Sequence, residues 1–320
     1  MLHTLLPLND LQFLDEFIRN GADEFYIGFY DNEWDRLFPA SCGINRMSEF
    51  GNTANQYCFE DCVNIVKMIR KKEKKVFITF NSSHYSQNQL DYSSKFFEVF
   101  AEYGASGIIV SNVDAAKKVV SHGLIPVAST MCGIYNSEIA QYYYDHGMQR
   151  MILPRDLSLD EIEAITDTNR DAEYEVFFMR NGCRFSDAFC LGKHKKPYGS
   201  LCSNLRSADK QIIHVYHDFE NRQEIDVNHY MYDHYFHNYA CGQCALYRLN
   251  QMNVSSLKFV GRADNPKSVL HDLVVAKNNI QLLNQCTSES EYLAKMAFPN
   301  DSSVRCLMGL GCYYPEVRFH

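Results

Sequence analysis

Five cysteines in the second half of this chain are the residues most able to carry chemistry. Six residues separate Cys183 from Cys190, eleven more precede Cys202, and Cys241 and Cys244 then form a C-x2-C pair. Thiolates in groups of four bind zinc or iron–sulfur clusters, and both kinds of centre accept ligands from separate loops. The spacing therefore predicts a metal centre built from Cys183, Cys190, Cys202 and one of Cys241 and Cys244.

Zinc and an iron–sulfur cluster make different demands on cysteine spacing. Structural zinc sites usually take two C-x2-C pairs, whereas in this group only Cys241 and Cys244 are so spaced. Single ligands spread along an insertion favour a cluster, with zinc as the alternative metal. Ordinary buried cysteines are the remaining alternative, which the polar, glycine-containing surroundings disfavour.

The start of the chain, MLHTLLPLNDLQFLDEF, has no basic segment followed by an unbroken apolar stretch. No apolar run approaches the roughly 18 residues of a membrane span. We therefore expect a cytoplasmic protein without a membrane span. Cysteines stay reduced in that compartment, so clustered ones are expected to bind metal or act as thiols rather than form disulfides.

Composition indicates a globular protein with a large core, since 46% of the residues are hydrophobic and 22% are charged. The 31 basic and 39 acidic residues give a net charge of -8. The molecule as a whole therefore does not attract phosphate backbones, although a local patch can differ from the average.

Short apolar runs rich in β-branched and aromatic residues alternate with helical patterns, as in parallel βαβ units. Eight such runs are predicted as strands: His3–Leu8, Glu24–Gly28, Val76–Asn81, Gly107–Ser111, Ile125–Ser129, Arg150–Pro154, Tyr174–Met179 and Ser256–Gly261. Eight strands close a barrel. The predicted fold is therefore α/β, a single (β/α)8 TIM-like barrel over residues 1–283, with residues 284–320 as a C-terminal tail packed on it.

Helix start and stop signals lie between these runs. Asp10, Asp91, Ser137 and Ser158 stand where helices should begin, and Gly104, Gly123 and Gly147 where they should end. Residues 266–283 are predicted to form the closing helix.

Two connections are too long for ordinary loops, residues 29–60 and the cysteine-rich insertion 180–254 after strand seven. Both follow the C-terminal ends of strands, where a β/α barrel carries its active site. We expect both insertions to cover the same mouth of the barrel.

Several polar residues occupy strand positions that point to a site. Glu175 should face the barrel interior with Lys258 of the next strand as its partner, and the sequence leaves open whether the pair is catalytic or structural. Asn81, Ser129, Arg155 and Arg262 stand at or just past strand ends and are predicted to bind substrate. The two arginines could hold a carboxylate or phosphate, or could brace the barrel rim.

A family resemblance emerges from segments spread over most of residues 1–280. They are NGADEFYIGF, KKVFITFN, ASGIIVSN, IPVASTMCGIYNSE, GMQRMILPRDLSLDEI, YEVFFMRNGCRFSDAFCL, GSLCSNL and SSLKFVGR. This pattern resembles the peptidase U32, or collagenase-like, family. The most specific part is the series Glu175, Phe177, Gly182, Cys183, Cys190 and Cys202.

The resemblance implies a β/α barrel and, as in several family members, a 4Fe–4S cluster that supports oxygen-independent hydroxylation of tRNA, ribosomal RNA or ubiquinone precursors. Carried over by position, the ligands would be Cys183, Cys190, Cys202 and then Cys241 or Cys244. The spacing in ubiquinone-modifying relatives favours Cys241. The implied substrate is a small molecule, an RNA or a peptide.

Two other functions remain open under the same resemblance. One is a peptidase, although no G-x-S-x-G or H-E-x-x-H motif occurs in the chain. The other is a non-catalytic, metal-stabilised partner of a second U32-type subunit. The chain also departs from the family's KIEGR pattern, because residues 258–262 read KFVGR and lack the acid.

Overall fold

Eight parallel strands close into a barrel in this structure, a computed structural model that describes residues 2–39, 43–48, 54–183, 185–190, 200, 202, 204–205, 208–216, 222–233, 239–299 and 311–317. The described strands are β1 (His3–Pro7), β2 (Glu24–Ile27), β3 (Phe29–Tyr30), β4 (Tyr57–Cys58), β5 (Lys75–Thr79), β6 (Gly107–Val110), β7 (Pro126–Ala128), β8 (Arg150–Ile152), β9 (Glu173–Met179), β10 (Ile212–Tyr216), β11 (Arg222–Asp226) and β12 (Ser256–Phe259). The order around the barrel is β1-β12-β9-β8-β7-β6-β5-β2. The predicted TIM-like (β/α)8 barrel is confirmed.

The strand ends differ from the predicted ones by no more than two residues. The differences fall mainly at the C-terminal ends, where apolar residues continue past the last ladder hydrogen bond. Phe80 and Leu153, for example, follow β5 and β8 and are fully buried. The hydrophobic pattern indicates which residues are buried, not which ones form hydrogen bonds between strands. It therefore cannot show where the hydrogen-bonded part of a strand ends.

Helices connect the strands on the outside of the barrel. They are α1 (Leu14–Arg19), α2 (Asn32–Leu37), α3 (Phe59–Lys71), α4 (Gln87–Glu102), α5 (Val113–Val120), α6 (Ser137–Asp145), α7 (Leu159–Thr168), α8 (Val227–Met231), α9 (Leu246–Leu249), α10 (Pro266–Leu283) and α11 (Glu289–Lys295). Short 3-10 turns occur at Leu11–Phe13, Thr130–Cys132, Gln243–Ala245 and Pro315–Val317. None of the helices in the described part of the chain is long and apolar enough to cross a bilayer.

Most helix boundary predictions are confirmed. Ser158 caps α7, α10 spans the predicted residues, and the glycines after α4, α5 and α6 have positive φ. The start predicted at Asp91 is wrong, because α4 begins at Gln87. Ser86 and Gln89 form a reciprocal capping box there, which satisfies two backbone donors one turn earlier than Asp91 could.

The first insertion is anchored on the barrel by aromatic packing. Trp34 of α2 is fully buried and meets Phe80 edge to face, with ring centroids 5.9 Å apart. β3 and β4, at the two ends of this insertion, pair with each other in parallel. The insertion is therefore fixed at both ends beside the C-terminal end of β5.

The C-terminal region adds to the end of β9. Cys241 forms isolated backbone bridges with Met179 on one side and Cys312 on the other. Tyr314 donates a hydrogen bond from its hydroxyl to the Phe177 carbonyl oxygen, at 2.6 Å. Residues 300–310 and 318–320 of the predicted tail lie outside the described part of the chain.

A layer of ion pairs fills the lower barrel interior, where barrels of this kind usually carry branched apolar residues. Arg150 of β8 donates to Glu175 of β9 at 2.6 Å and to Glu24 of β2 at 3.0 Å. β8 and β2 lie opposite each other in the strand order. A single guanidinium thus spans the barrel, and Ser256 donates a further hydrogen bond to Glu24 at 3.0 Å.

Removing the Arg150 charge should strongly destabilise the barrel. In Arg150→Leu, Glu24 loses its nearest counter-charge and Glu175 keeps only Lys258, and breaking a buried pair in this way costs about 3 to 5 kcal/mol. Urea denaturation measures the difference. Arg170→Leu is the matched control, since the Arg170 side chain is 73% exposed and its loss should cost under about 0.5 kcal/mol. Equal unfolding free energies for the two variants would show that the ionic layer is dispensable.

Candidate functional site

A cavity of about 450 Å³ opens at the C-terminal end of the barrel. Its wall includes strand residues Ile109, Ile152 and Phe177, which give it an apolar side. Arg46 comes from the first insertion, and Cys183 comes from the second. Both long insertions therefore contribute to one cavity, at the end of the barrel where this architecture carries its active sites.

Three of the predicted metal ligands, Cys183, Cys190 and Cys202, line this cavity. Burial raises the pKa of the Cys183 and Cys190 thiols, and the neighbouring cysteines of the trio raise it further. Positive charge acts in the opposite direction, because Arg155 lowers the pKa of Cys183 and Arg46 lowers that of Cys190. The three thiols thus share one electrostatic environment beside two guanidinium groups.

Asp187, in the loop between Cys183 and Cys190, forms ion pairs with both Arg46 and Arg155. Asp187, 3% exposed, accepts from the Arg155 guanidinium at 2.9 and 3.0 Å and also pairs with Arg46. Thr130 adds a hydrogen bond at 3.1 Å. Burial alone would raise the pKa of Asp187, but the two arginines hold it well below its usual 3.8. This carboxylate therefore ties the cysteine loop both to the barrel rim and to the first insertion.

Cys241 and Cys244 are not among the residues that line the cavity. The Cys241 sulfur accepts a hydrogen bond from the Gln243 backbone at 3.4 Å. Burial, followed by the nearby thiols of Cys244 and Cys241, raises the pKa of Tyr292 in α11. The structure thus places Cys241 beside Cys244 near Tyr292, and its assignment as the fourth ligand stays a prediction.

No three His, Cys, Asp or Glu side chains converge tightly enough to hold a single metal ion, within the residues that the structure describes. The cysteine trio instead lines the cavity. A cluster binds each thiolate through a different iron atom, so it accepts ligands that are farther apart than those of one ion. The donor set of three thiols is compatible with that requirement.

The four predicted substrate-binding residues all line the cavity. Asn81 donates to the Ser129 hydroxyl at 3.1 Å, which joins the ends of β5 and β7. The guanidinium of Arg155 is used by Asp187, by the Asn181 carbonyl oxygen and by the face of Phe177, 4.3 Å from the ring centroid. Arg155 thus braces the rim and the cysteine loop.

Lys258 and Glu175 form the ion pair expected from the sequence, with 3.0 Å between Nζ and Oε2. Lys258 lines the cavity, whereas the fully buried Glu175 lies below it and is shared with Arg150. Burial lowers the pKa of the Lys258 ammonium more than Glu175 raises it. Lys258 is therefore the one member of the pair that can meet a bound molecule.

Arg262 enters the same cavity from the end of β12 and is held by neutral groups. Its Nη1 donates to Asn55 at 3.1 Å and to Thr79 at 2.9 Å. Burial lowers the pKa of Arg262 to about 10. Gly28 leaves room for the Arg262 guanidinium, because a Cβ at residue 28 would come within 2.2 Å of Nη1.

Sequence reasoning missed Arg46, Asp187 and Arg150. A lone acid between two cysteine ligands was the available signal for Asp187, and an arginine inside an apolar run was the signal for Arg150. Nothing marked Arg46, whose partner Asp187 is 141 positions away in the sequence.

Asp187→Asn should release the cysteine loop. Without the carboxylate, Arg46 and Arg155 face each other unneutralised, and the loss at about pH 7 should be about 3 kcal/mol or more. Because the folded-state pKa lies below 3.8, the contribution is present above that pH and disappears as pH falls below it. Urea denaturation at several pH values and alkylation rates of Cys183 and Cys190 report the two effects.

Asp160→Asn is the matched control, because the Asp160 side chain is 84% exposed in its pair with Arg248. A loss in Asp187→Asn that stays undiminished as the pH falls below 3.8 would contradict the electrostatic explanation.

Comparison with known proteins places this site in a family. The sequence matches Peptidase family U32 over residues 9–300. It is similar to an uncharacterized protease from Methanocaldococcus jannaschii, with 26% identity over 68% of this chain and 51% of the relative. tRNA hydroxylation protein P from Helicobacter pylori is 25% identical over 62% of this chain and 45% of the relative. A 23S rRNA 5-hydroxycytidine synthase from Escherichia coli is 25% identical over 65% and 28%, respectively.

The chain thus spans about half, or less, of the length of these curated relatives. Their activities belong to longer proteins. The family match itself covers the barrel from β2 to β12 together with the cysteine insertion. On that match, the chain belongs to the peptidase U32 family.

Proposed function

We propose that this protein is an iron–sulfur enzyme that hydroxylates or otherwise modifies its substrate without free oxygen. The observation that carries the proposal is the shared position of Cys183, Cys190 and Cys202, which line the same cavity as Lys258 at the C-terminal end of the barrel. Thiol ligands and a polar group with a lowered pKa thus meet in the place where this architecture does chemistry.

The chemistry of the surrounding residues supports a thiolate-bound centre. Burial raises the pKa of Cys183 and Cys190, and the nearby charges of Arg155 and Arg46 offset part of that rise. Positive charge of this kind stabilises thiolates and a negatively charged centre made from them. When bound, a 4Fe–4S cluster supplies one-electron redox chemistry at the cavity wall.

The chain's own residues would bind and orient the substrate. Ile109, Ile152 and Phe177 provide an apolar wall that excludes water. Asn81 and Ser129 offer polar atoms at the ends of β5 and β7, and Lys258 can hold or release a proton at Nζ because its pKa is lowered. Glu175 acts through Lys258, since it orients the ammonium from below without reaching the cavity.

RNA is the substrate class that the relatives favour. Two of them carry names that refer to hydroxylation of tRNA or synthesis of a modified nucleotide in ribosomal RNA. Quinone-type and peptide substrates remain alternatives within the proposal. A cytoplasmic location and a second U32-type subunit remain predictions from the sequence.

Anaerobically purified protein should contain about four iron and four sulfide per chain and absorb near about 400 nm. Alanine at Cys183, Cys190 or Cys202 should remove most of the iron, because each variant loses one thiolate at the cavity. Cys58→Ser is the control, since Cys58 caps α3 and serine can make the same cap. A colourless protein that binds zinc with full occupancy, or that hydrolyses peptides without iron, would refute the proposal.

The fourth ligand is decided by comparing Cys241→Ala with Cys244→Ala. We expect iron loss in the first variant and retention in the second, because the family spacing favours Cys241. Iron and sulfide analysis of both anaerobic proteins gives the answer. Loss only in Cys244→Ala would reverse the assignment, and full iron in both would leave a cluster held by the three cavity cysteines alone.

A further inference from the structure

Among the described residues, Arg262 is a buried cation without an acidic partner. It is 9% exposed, and no carboxylate in the described part of the chain lies within ion-pair distance of it. Both of its hydrogen bonds to protein come from Nη1 and go to neutral oxygens. A buried guanidinium that is not neutralised costs free energy that a bound anion would recover.

The structure holds this guanidinium in one place. Asn55, which receives one hydrogen bond from Arg262, also accepts another from Asn45 at 3.0 Å. Thr79, which receives the other, donates to the Ile27 carbonyl oxygen at 3.3 Å. Gly28 leaves the space that Nη1 and Asn55 occupy, since a Cβ there would lie 2.2 and 2.1 Å from them. A donor fixed in this way loses little conformational entropy on binding a ligand.

The opposite edge of the guanidinium remains available. Nε and Nη2 have no acceptor among the described residues, and Arg262 lines the cavity. These two donors are parallel and spaced to bind two oxygens of one carboxylate or phosphate.

Arg46 supplies a second donor in the same cavity. Its Nε is buried and has no hydrogen-bond partner within the described residues. Arg46 and Arg155 share the single negative charge of Asp187, so this group keeps an excess positive charge. Arg46 also lies near enough to lower the pKa of Arg262 further.

The other cations of the cavity are neutralised. Lys258 is paired with Glu175, and Arg155 is fully engaged with Asp187 and the Asn181 carbonyl oxygen. Asp264, which also lines the cavity, is bound by Arg180 at 2.7 Å rather than by Arg262. The excess positive charge is therefore concentrated between Arg262 and Arg46.

We propose that Arg262 and Arg46 form an oxyanion subsite that binds a carboxylate or phosphate group of a small-molecule reactant in this cavity. The proposal deepens the function given above, and rests on it for the identification of the ligand as a reactant. It replaces the sequence-based pairing of Arg155 with Arg262, because all three nitrogens of the Arg155 guanidinium already donate to Asp187 or to the Asn181 carbonyl oxygen. Anion binding itself can be measured without turnover.

Two probes separate the two chemical sources. Inorganic phosphate and acetate are titrated into the purified protein at constant ionic strength, and the thermal midpoint is recorded. An anion that binds the folded state alone raises the midpoint as its concentration passes Kd. We expect one of the two anions to raise the thermal midpoint well above that of a sodium chloride control. That anion identifies the ligand group as a phosphate or a carboxylate.

Three variants test the residues. Arg262→Gln should weaken binding at least about tenfold, by loss of a bidentate charge-assisted contact, while its midpoint without ligand is unchanged or higher, because an unpaired buried charge is removed. Gly28→Ala should also lose binding although Arg262 is present, since the new Cβ displaces its Nη1. Arg170→Gln, at an exposed arginine, should respond to the anion like the unmodified protein.

The proposal is overturned if neither probe shifts the midpoint of the unmodified protein, or if Arg262→Gln responds equally. A lower midpoint of Arg262→Gln without ligand would also overturn it, because it would give the residue a structural role. The iron assay is independent of these outcomes. If the protein binds the anion at Arg262 but contains no iron, the subsite is retained and the proposed cluster function is rejected. If it contains iron but binds no anion, the cluster function is retained and the subsite is rejected.

Discussion

The Arg150 guanidinium, buried between Glu24 and Glu175, is the interaction on which the rest of the barrel depends. Charges in the middle of a closed sheet are tolerated only when they neutralise one another with good geometry. Two acids and two bases meet this condition here, since Lys258 completes the set through Glu175. The layer joins opposite walls of the barrel and also fixes the height at which Lys258 enters the cavity.

Above this layer, the pattern of ion pairs determines which groups can act. Asp187 uses its charge to hold a loop, so Arg155, which donates to it from two nitrogens, serves mainly to shape the rim. Lys258 has a partner below and open space above, which suits a group that exchanges a proton. Structural and chemical roles are thus divided among cations that look equivalent in the sequence. Only the partners, which come from distant segments, distinguish them.

The sequence predicted the barrel because each strand carries its own local signal. Alternation, caps and glycines act over a few residues, so the eight barrel strands could be placed without knowing their neighbours, whereas β3, β4, β10 and β11 in the two insertions were not predicted. The grouping of Cys183, Cys190 and Cys202 was also visible, since all three lie in one insertion. The site's polar contacts were less accessible. Arg46 meets Asp187 only because two insertions fold over one mouth, and neither sequence segment reports the approach of the other.

The position of Cys241 also depends on contacts that the sequence does not show. Spacing along the chain grouped it with the first three cysteines, but backbone pairing with Met179 and Cys312 sets where it lies. A residue in such a bridge takes its direction from the strand that it pairs with. Linear distance gives no information about that direction.

The closing pair of the barrel joins His3 of β1 to Ser256 of β12, the two ends of the sheet in sequence. During synthesis, the whole cysteine insertion is therefore made before β12, the last strand of the barrel. During that interval Glu175 has no lysine beside it and the cavity has no Arg262. The thiols are thus made before the pocket that arranges them. A metal centre built on them would therefore have its complete pocket only after residue 262 has been made.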